Sequence, residues 1–179
     1  SQDADEIYYK LDSEQRKKMS KPSVDKTFYA DWNSMMVSSL LEAYAVTAEE
    51  KFISQALAVY ESLWKKTVSG NFVLHFAANN APNNIFKDYL WLLKASIDCH
   101  QFTQEKRFLE NSKQLAEIIM EKFYDKANGW FFDILPKEDI GLLAEPLKPV
   151  PENSLAAILL AKLSALTGDE KYLQLANST

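Results

Sequence analysis

The segment Thr47-Ala48-Glu49-Glu50-Lys51-Phe52-Ile53 returns as Thr103-Gln104-Glu105-Lys106-Arg107-Phe108-Leu109 and again as Thr167-Gly168-Asp169-Glu170-Lys171-Tyr172-Leu173. Successive copies are offset by 56 and then 64 residues. Each copy closes a strongly apolar segment and opens an amphipathic one, so the repeating unit reads as two helices joined by a short polar turn. A chain written this way folds as an all-α stack of helical hairpins.

The apolar spacing predicts which helices lie inside. From Asp31, whose carboxylate is placed to cap a helix, Trp32, Met35, Met36, Leu40 and Ala43 recur at helical spacing until Thr47. The partner after the turn carries one stripe of Phe52, Ile53, Ala56, Leu57, Tyr60, Leu63 and Trp64, with charged residues between. In the second unit, Phe86 to Cys99 is apolar on nearly every side, whereas the partner from about Gln104 to Tyr124 alternates Phe108, Leu115, Ile118, Ile119 and Phe123 with Lys and Glu. In the third, Pro151 suits a first helical turn and Leu155 to Leu166 carries only Lys162 as a charge. Buried first helices with half-exposed second ones make an inner and an outer layer, a curved double layer of helices. Gly70 to Phe76 and Asn128 to Asp133 each follow a turn signal with aromatic and β-branched residues, and predict short strands or extended loops on one rim. A further helix is expected from about Asp3 to Met19, ended by Lys21-Pro22.

A hydrophobic fraction of 47% over 179 residues suits one folded domain, 1–179. Four glycines leave no glycine-rich phosphate loop, and the net charge of -5 comes without a basic stripe, which argues against nucleic acid as a partner. The longest strongly apolar run, Leu155 to Ala161, is too short to cross a bilayer, so no membrane partner is expected. With Cys99 alone there is no intrachain disulfide, and cytoplasm is the default location. The opening at Ser1 and the short last helix at Thr179 lead us to expect a fragment, or a chain that associates with itself or with missing parts of its parent.

Superposing the three units places Trp32, Asp88 and Glu152 at one position and Asn33, Tyr89 and Asn153 at the next, all at the starts of inner helices. If those starts converge on a central pit, Asp88 and Glu152 are the candidate catalytic acid and base, and Trp32, Tyr89 and Trp130 are candidate walls. Asn33, Asn153 and His75 are further candidate binding residues. Paired carboxylates beside aromatic faces suit a sugar, whose apolar face stacks while an acid and a base serve the leaving oxygen and a water. The structural alternative stays open, because acids in a first helical turn also meet the helix dipole and its unpaired amides. His75 is a candidate proton shuttle, and His100 at a helix end suits a structural role. The two histidines, without spaced Cys or His partners, give no recognisable zinc site, and no metal or other cofactor is expected. Cys99 reads as a small core side chain.

The run Lys21-Pro22-Ser23-Val24-Asp25, then Trp32-Asn33, Asp88-Tyr89 and Asn153-Ser154 ahead of Leu155-Ala156-Ala157, resembles the helical part of the spermatogenesis-associated, thioredoxin-domain proteins, a domain-of-unknown-function family. The resemblance implies the middle, about three hairpins, of an (α/α)6 toroid similar to N-acylglucosamine 2-epimerases and six-hairpin glycosidases, without the family's thioredoxin-like domain. Several letters depart from the family pattern. Asp25 is followed by Lys26, Ser34 stands where a glycine usually follows Trp-Asn, and Lys87 precedes Asp88-Tyr89. Pro151-Glu152-Asn153-Ser154 lacks a glycine where a backbone would approach a ligand. The expected function is a carbohydrate-binding or carbohydrate-modifying toroid with an altered or inactive site, the alternative being a non-catalytic scaffold that docks another domain or a second copy.

Overall fold

Three inner helices, each of 18 residues, carry the architecture: α3 (Ala30–Thr47), α5 (Phe86–Thr103) and α7 (Val150–Thr167). Each is followed by an outer helix, α4 (Glu50–Thr67), α6 (Lys106–Lys122) and α8 (Glu170–Ser178). The computed structural model describes residues 2–78, 80–135 and 146–179. Inner helices pack on one another in chain order, α3 on α5 and α5 on α7, and each packs on its own outer partner. Eleven residues of α5 are buried, against four of α4, as the all-round apolar pattern of the one and the single stripe of the other require.

The repeated turn works through one device used three times. The hydroxyls of Thr47, Thr103 and Thr167 donate to the carbonyls of Ala43, Cys99 and Leu163 at 2.7–2.8 Å. Each accepts, at 3.2 Å, the backbone N–H of the residue two positions on: Glu49, Glu105 and Asp169. Between them Ala48, Gln104 and Gly168 stand in the left-handed region, with φ of 56°, 58° and 74°. A left-handed residue ends a helix, and glycine occupies that conformation without the Cβ conflict an alanine meets. Ala48→Gly is therefore expected to raise stability by about 0.5–1 kcal/mol, read as a higher urea midpoint at unchanged slope. A lower midpoint would refute this account of the turn.

Two hairpins line the rim: β1 (Val68–Ser69) with β2 (Phe72–Val73), and β3 (Tyr124–Asp125) with β4 (Trp130–Phe131), both antiparallel. The chain after each hairpin runs back to start an inner helix. Ala30 N–H donates to the His75 carbonyl and Phe86 N–H to the Asp133 carbonyl, both at 2.8 Å, next to isolated bridges Tyr29–Phe76 and Ile85–Ile134. A first-turn amide that would otherwise lack a partner is thus satisfied by the rim.

Three expectations are corrected. The stripe of Trp32, Met35, Met36, Leu40 and Ala43 is not the buried face of α3: Trp32 and Met36 are 63% and 53% exposed, and the helix turns Ala30, Ser34, Val37, Ser38 and Leu41 inward, small side chains among them allowing close packing. Asp31 does not cap α3: Tyr29 is the cap residue and makes no side-chain cap bond, because the rim strand already serves the helix start. The N-terminal segment is also not one helix. It divides into α1 (Gln2–Lys10) and α2 (Ser13–Lys17), since Asp12 and Gln15 form a reciprocal capping box that starts a new helix. Among the described residues no helix is long and apolar enough to cross a membrane.

Candidate functional site

The rim strand that starts α3 also delivers His75 to Asp88. His75 lies just after β2, its backbone held by Ala30 N–H on one side and the Pro82 carbonyl on the other. Its Nδ1 stands 3.1 and 3.0 Å from the two carboxylate oxygens of Asp88, in the first turn of α5. Asp88 is completely buried, whereas the His75 side chain keeps 27% of its exposure. Asp31, in the first turn of α3, completes the group and is 5% exposed. The ligand atoms of Asp31, His75 and Asp88 all lie within 4.8 Å of one another, a spacing that accommodates a cation. The Lys87 ammonium already brings a positive charge to 3.7 Å from Asp31 Oδ2.

Burial pushes the Asp88 carboxyl up to about 6, opposed by its hydrogen bond to His75 and reinforced by the Asp31 charge. An ionised Asp88 accepts a hydrogen bond from His75 Nδ1–H, which fixes the tautomer and leaves the lone pair on Nε2. Aromatic rings wall this face of the imidazole. Tyr29 lies 5.2 Å from His75 and 4.9 Å from Trp32, ring centre to centre, and Phe76 lies 5.9 Å from His75. Trp32 is 63% exposed, so most of its ring remains open.

The sequence-predicted residues divide into two sets. His75, Asp88 and Trp32 come together around Tyr29. Glu152 stands outside that cluster, in a cleft of about 260 Å³ lined by Ile85, Phe86, Lys87, Asp133, Ile134 and Pro149. Tyr89, expected as a wall, is fully buried, with its hydroxyl donating to the Asn83 carbonyl at 2.7 Å. Asn153 is a buried clamp: Oδ1 accepts from Phe131 N–H at 2.7 Å, and Nδ2 donates to the carbonyls of Phe131 and Pro149 at 2.9 Å. Asn33 donates to the Tyr29 carbonyl at 2.7 Å within its own helix turn, and Trp130 sits on the β3–β4 hairpin, 38% exposed. His100 bonds the Glu105 carbonyl at the α5 turn, and burial pushes the Cys99 thiol up to about 12. Neither joins the cluster.

Sequence reasoning missed Asp31, Tyr29, Phe76 and Lys87 as neighbours of this site. The signal for Lys87 was present, since Asp31 and Lys87 occupy equivalent positions of the first two units. Tyr29 and Phe76 meet only through a β-bridge between segments far apart in the chain.

No protein-family model matches the chain. Rat spermatogenesis-associated protein 20 is 27% identical over 179 residues, covering 88% of this chain and 22% of the rat protein. An uncharacterised protein of Caenorhabditis elegans is 24% identical, covering 87% and 23%. The chain thus spans little more than a fifth of the length of the curated relatives it matches. Among solved structures, a family 76 α-mannanase of Bacteroides thetaiotaomicron matches with a TM-score of 0.72 at 15% identity, over 89% of this chain and 45% of the mannanase. Cellobiose 2-epimerase of Bacillus thermoamylovorans matches with a TM-score of 0.72 at 17% identity, over 88% and 45%. An unsaturated glucuronyl hydrolase specific for heparin matches at 0.70 and 15%. The fold is that of the α/α toroid, and the sequence is similar to the spermatogenesis-associated proteins, as the Trp32-Asn33 and Asp88-Tyr89 pairs implied.

Proposed function

We propose that the rim around His75 binds a carbohydrate, and that His75 is the group positioned to move a proton on it. The observation that carries this reading is the clasp of His75 Nδ1 by both oxygens of a fully buried Asp88. A buried carboxylate that holds an imidazole in one tautomer, on a side chain that keeps part of its exposure, is an arrangement suited to a general base. Asp88 is then a positioning residue, since no substrate atom reaches it. Tyr29 and Trp32 supply the faces on which an apolar sugar surface stacks. Glu152, in the adjoining cleft with Lys87, is the second carboxylate available to a ligand that extends along the rim. The fold's kinship with sugar-processing enzymes raises the prior for this ligand class, and by itself does no more.

The test is thermal melting of the chain against mannose, α-1,6-mannotetraose and cellobiose, with His75→Ala and Trp32→Ala variants alongside. A ligand at one hundred times its dissociation constant stabilises by about 2.7 kcal/mol, well within reach of a melting curve. The expected result is a shift with at least one sugar that Trp32→Ala weakens and His75→Ala removes. A melting temperature indifferent to all three sugars would sink the proposal.

A further inference from the structure

We propose that Asp31, His75 and Asp88 are the protein ligands of one divalent metal ion of the zinc or manganese class. Two carboxylates come together here with their side chains almost wholly out of solvent, Asp88 at 0% and Asp31 at 7% exposure. Asp88 has His75 Nδ1 on its two oxygens. Asp31 is less well served. Its Oδ1 accepts the Trp32 N–H at 2.8 Å, and its Oδ2 makes no hydrogen bond among the described residues. The Lys87 ammonium stops 3.7 Å from that oxygen, beyond hydrogen-bond reach, on a side chain 41% exposed. Buried charges are paired or coordinate a metal. With His75 neutral, a single half-solvated ammonium leaves one of the two carboxylates unmatched, and a dication between them supplies the missing charge.

The spacing suits such an ion. Ligand bonds of about 2.0–2.2 Å place the ligand atoms around one ion roughly 3 to 3.6 Å apart. The His75–Asp88 edge already measures 3.0–3.1 Å, and all three ligand atoms lie within 4.8 Å of one another, so a small turn of the Asp31 side chain closes the set. One imidazole with two carboxylates suits zinc or manganese, whereas calcium takes oxygen ligands and would leave the nitrogen idle. The His75 side chain keeps 27% of its exposure, which leaves an open side for entry and for water to complete the shell. Zinc motifs are recognised by closely spaced Cys and His. These ligands come instead from the start of α3, the segment after β2 and the start of α5, so no spacing in the sequence announces them.

The ion takes the place of the Nδ1 proton, and the neutral ring then carries its hydrogen on Nε2. Metal-free, His75 offers the Nε2 lone pair used in the proton transfer proposed above. Metal-loaded, it does not, so the ion would hold the rim in a form without that base. The metal site itself stands whether or not a sugar binds.

Titration calorimetry of the tag-free chain with zinc chloride, with the histidine ¹⁵N spectrum recorded alongside, tests the site. The chain has two histidines, so the two rings are told apart by one variant, His100→Ala. The expected result is one zinc ion per chain, with the His75 hydrogen moved from Nδ1 to Nε2 and the His100 signals unchanged. Asp31→Asn keeps an oxygen for the Trp32 N–H and is expected to weaken binding by at least about tenfold, with its fold checked by circular dichroism. No heat and no spectral change at millimolar zinc overturns the proposal. So does zinc binding that leaves the His75 ring nitrogens unmoved in the parent chain, a reading that requires no variant to fold. Both measurements are made without sugar, so a silent zinc titration leaves the melting test of the sugar site untouched.

Discussion

Phe86→Ala is expected to destabilise the fold by about 3–5 kcal/mol, the range for emptying a buried aromatic site. Phe86 is fully buried at the first position of α5. Its ring stacks on Phe131 of β4 at 5.3 Å and 10°, and meets Phe123 at 5.5 Å. Phe123 in turn meets Tyr89 edge-on at 5.2 Å. One cavity would therefore loosen the rim hairpin, the end of α6 and the start of α5 together, and the neighbouring Asn153 clamp on Phe131 limits how far they can collapse to fill it. Urea denaturation measures the loss. A cost below about 1 kcal/mol would mean that the site is not the rigid junction described, because such a value belongs to sites that relax freely. Asp88 lies two residues beyond Phe86, so the same variant is also expected to weaken any sugar response.

The hairpin architecture was readable from the chain because it rests on local patterns. Thr47, Thr103 and Thr167 write the same turn in nearly the same letters, and the contrast between α5 and α6 follows from apolar periodicity alone. The division of the N-terminal segment is also written locally, in the Asp12–Gln15 capping pair that precedes the break at Lys21-Pro22. The site was readable only in part. Asp88 and His75 were singled out separately, from the unit superposition and from the aromatic rim, but their union depends on a strand crossing from β2 to the start of α3 that no periodicity encodes. Asp31 illustrates the limit. In sequence it is an acid at a helix start, where capping is the commonest role. In the structure the cap position belongs to Tyr29, while Asp31 Oδ1 accepts the Trp32 N–H at 2.8 Å and Oδ2 lies 3.7 Å from the Lys87 ammonium, beside His75 and Asp88. Tyr89 and Asn153 show the converse, polar residues at promising positions whose hydrogen-bonding groups are used up inside the fold.

Asp88→Asn is expected to make the protein more stable at pH 8 and to leave it unchanged, or slightly weaker, at pH 4. In the folded state burial holds the Asp88 carboxyl at about 6, above its ordinary value of 3.8. A raised carboxyl is a proton the native state keeps and the unfolded state gives up more readily. The stability that goes with it is fully present below the unfolded value of 3.8 and is lost as the pH rises through the folded value of about 6. The difference corresponds to roughly 3 kcal/mol, since each pKa unit is worth about 1.4 kcal/mol. Asparagine has nearly the same shape and no charge to bury, so its variant escapes that loss. It also gives up the charged hydrogen bond to His75, which adds a smaller cost and lowers the gain at pH 8. The readout is the difference in stability between variant and parent as a function of pH, followed by urea denaturation from pH 4 to 8. A difference that grows over that window identifies Asp88 as a carboxylate buried at the expense of stability, as expected of a group kept to hold His75. A flat difference would mean that Asp88 ionises in the native state as easily as in the unfolded chain, and the clasp on His75 would lose its electrostatic basis.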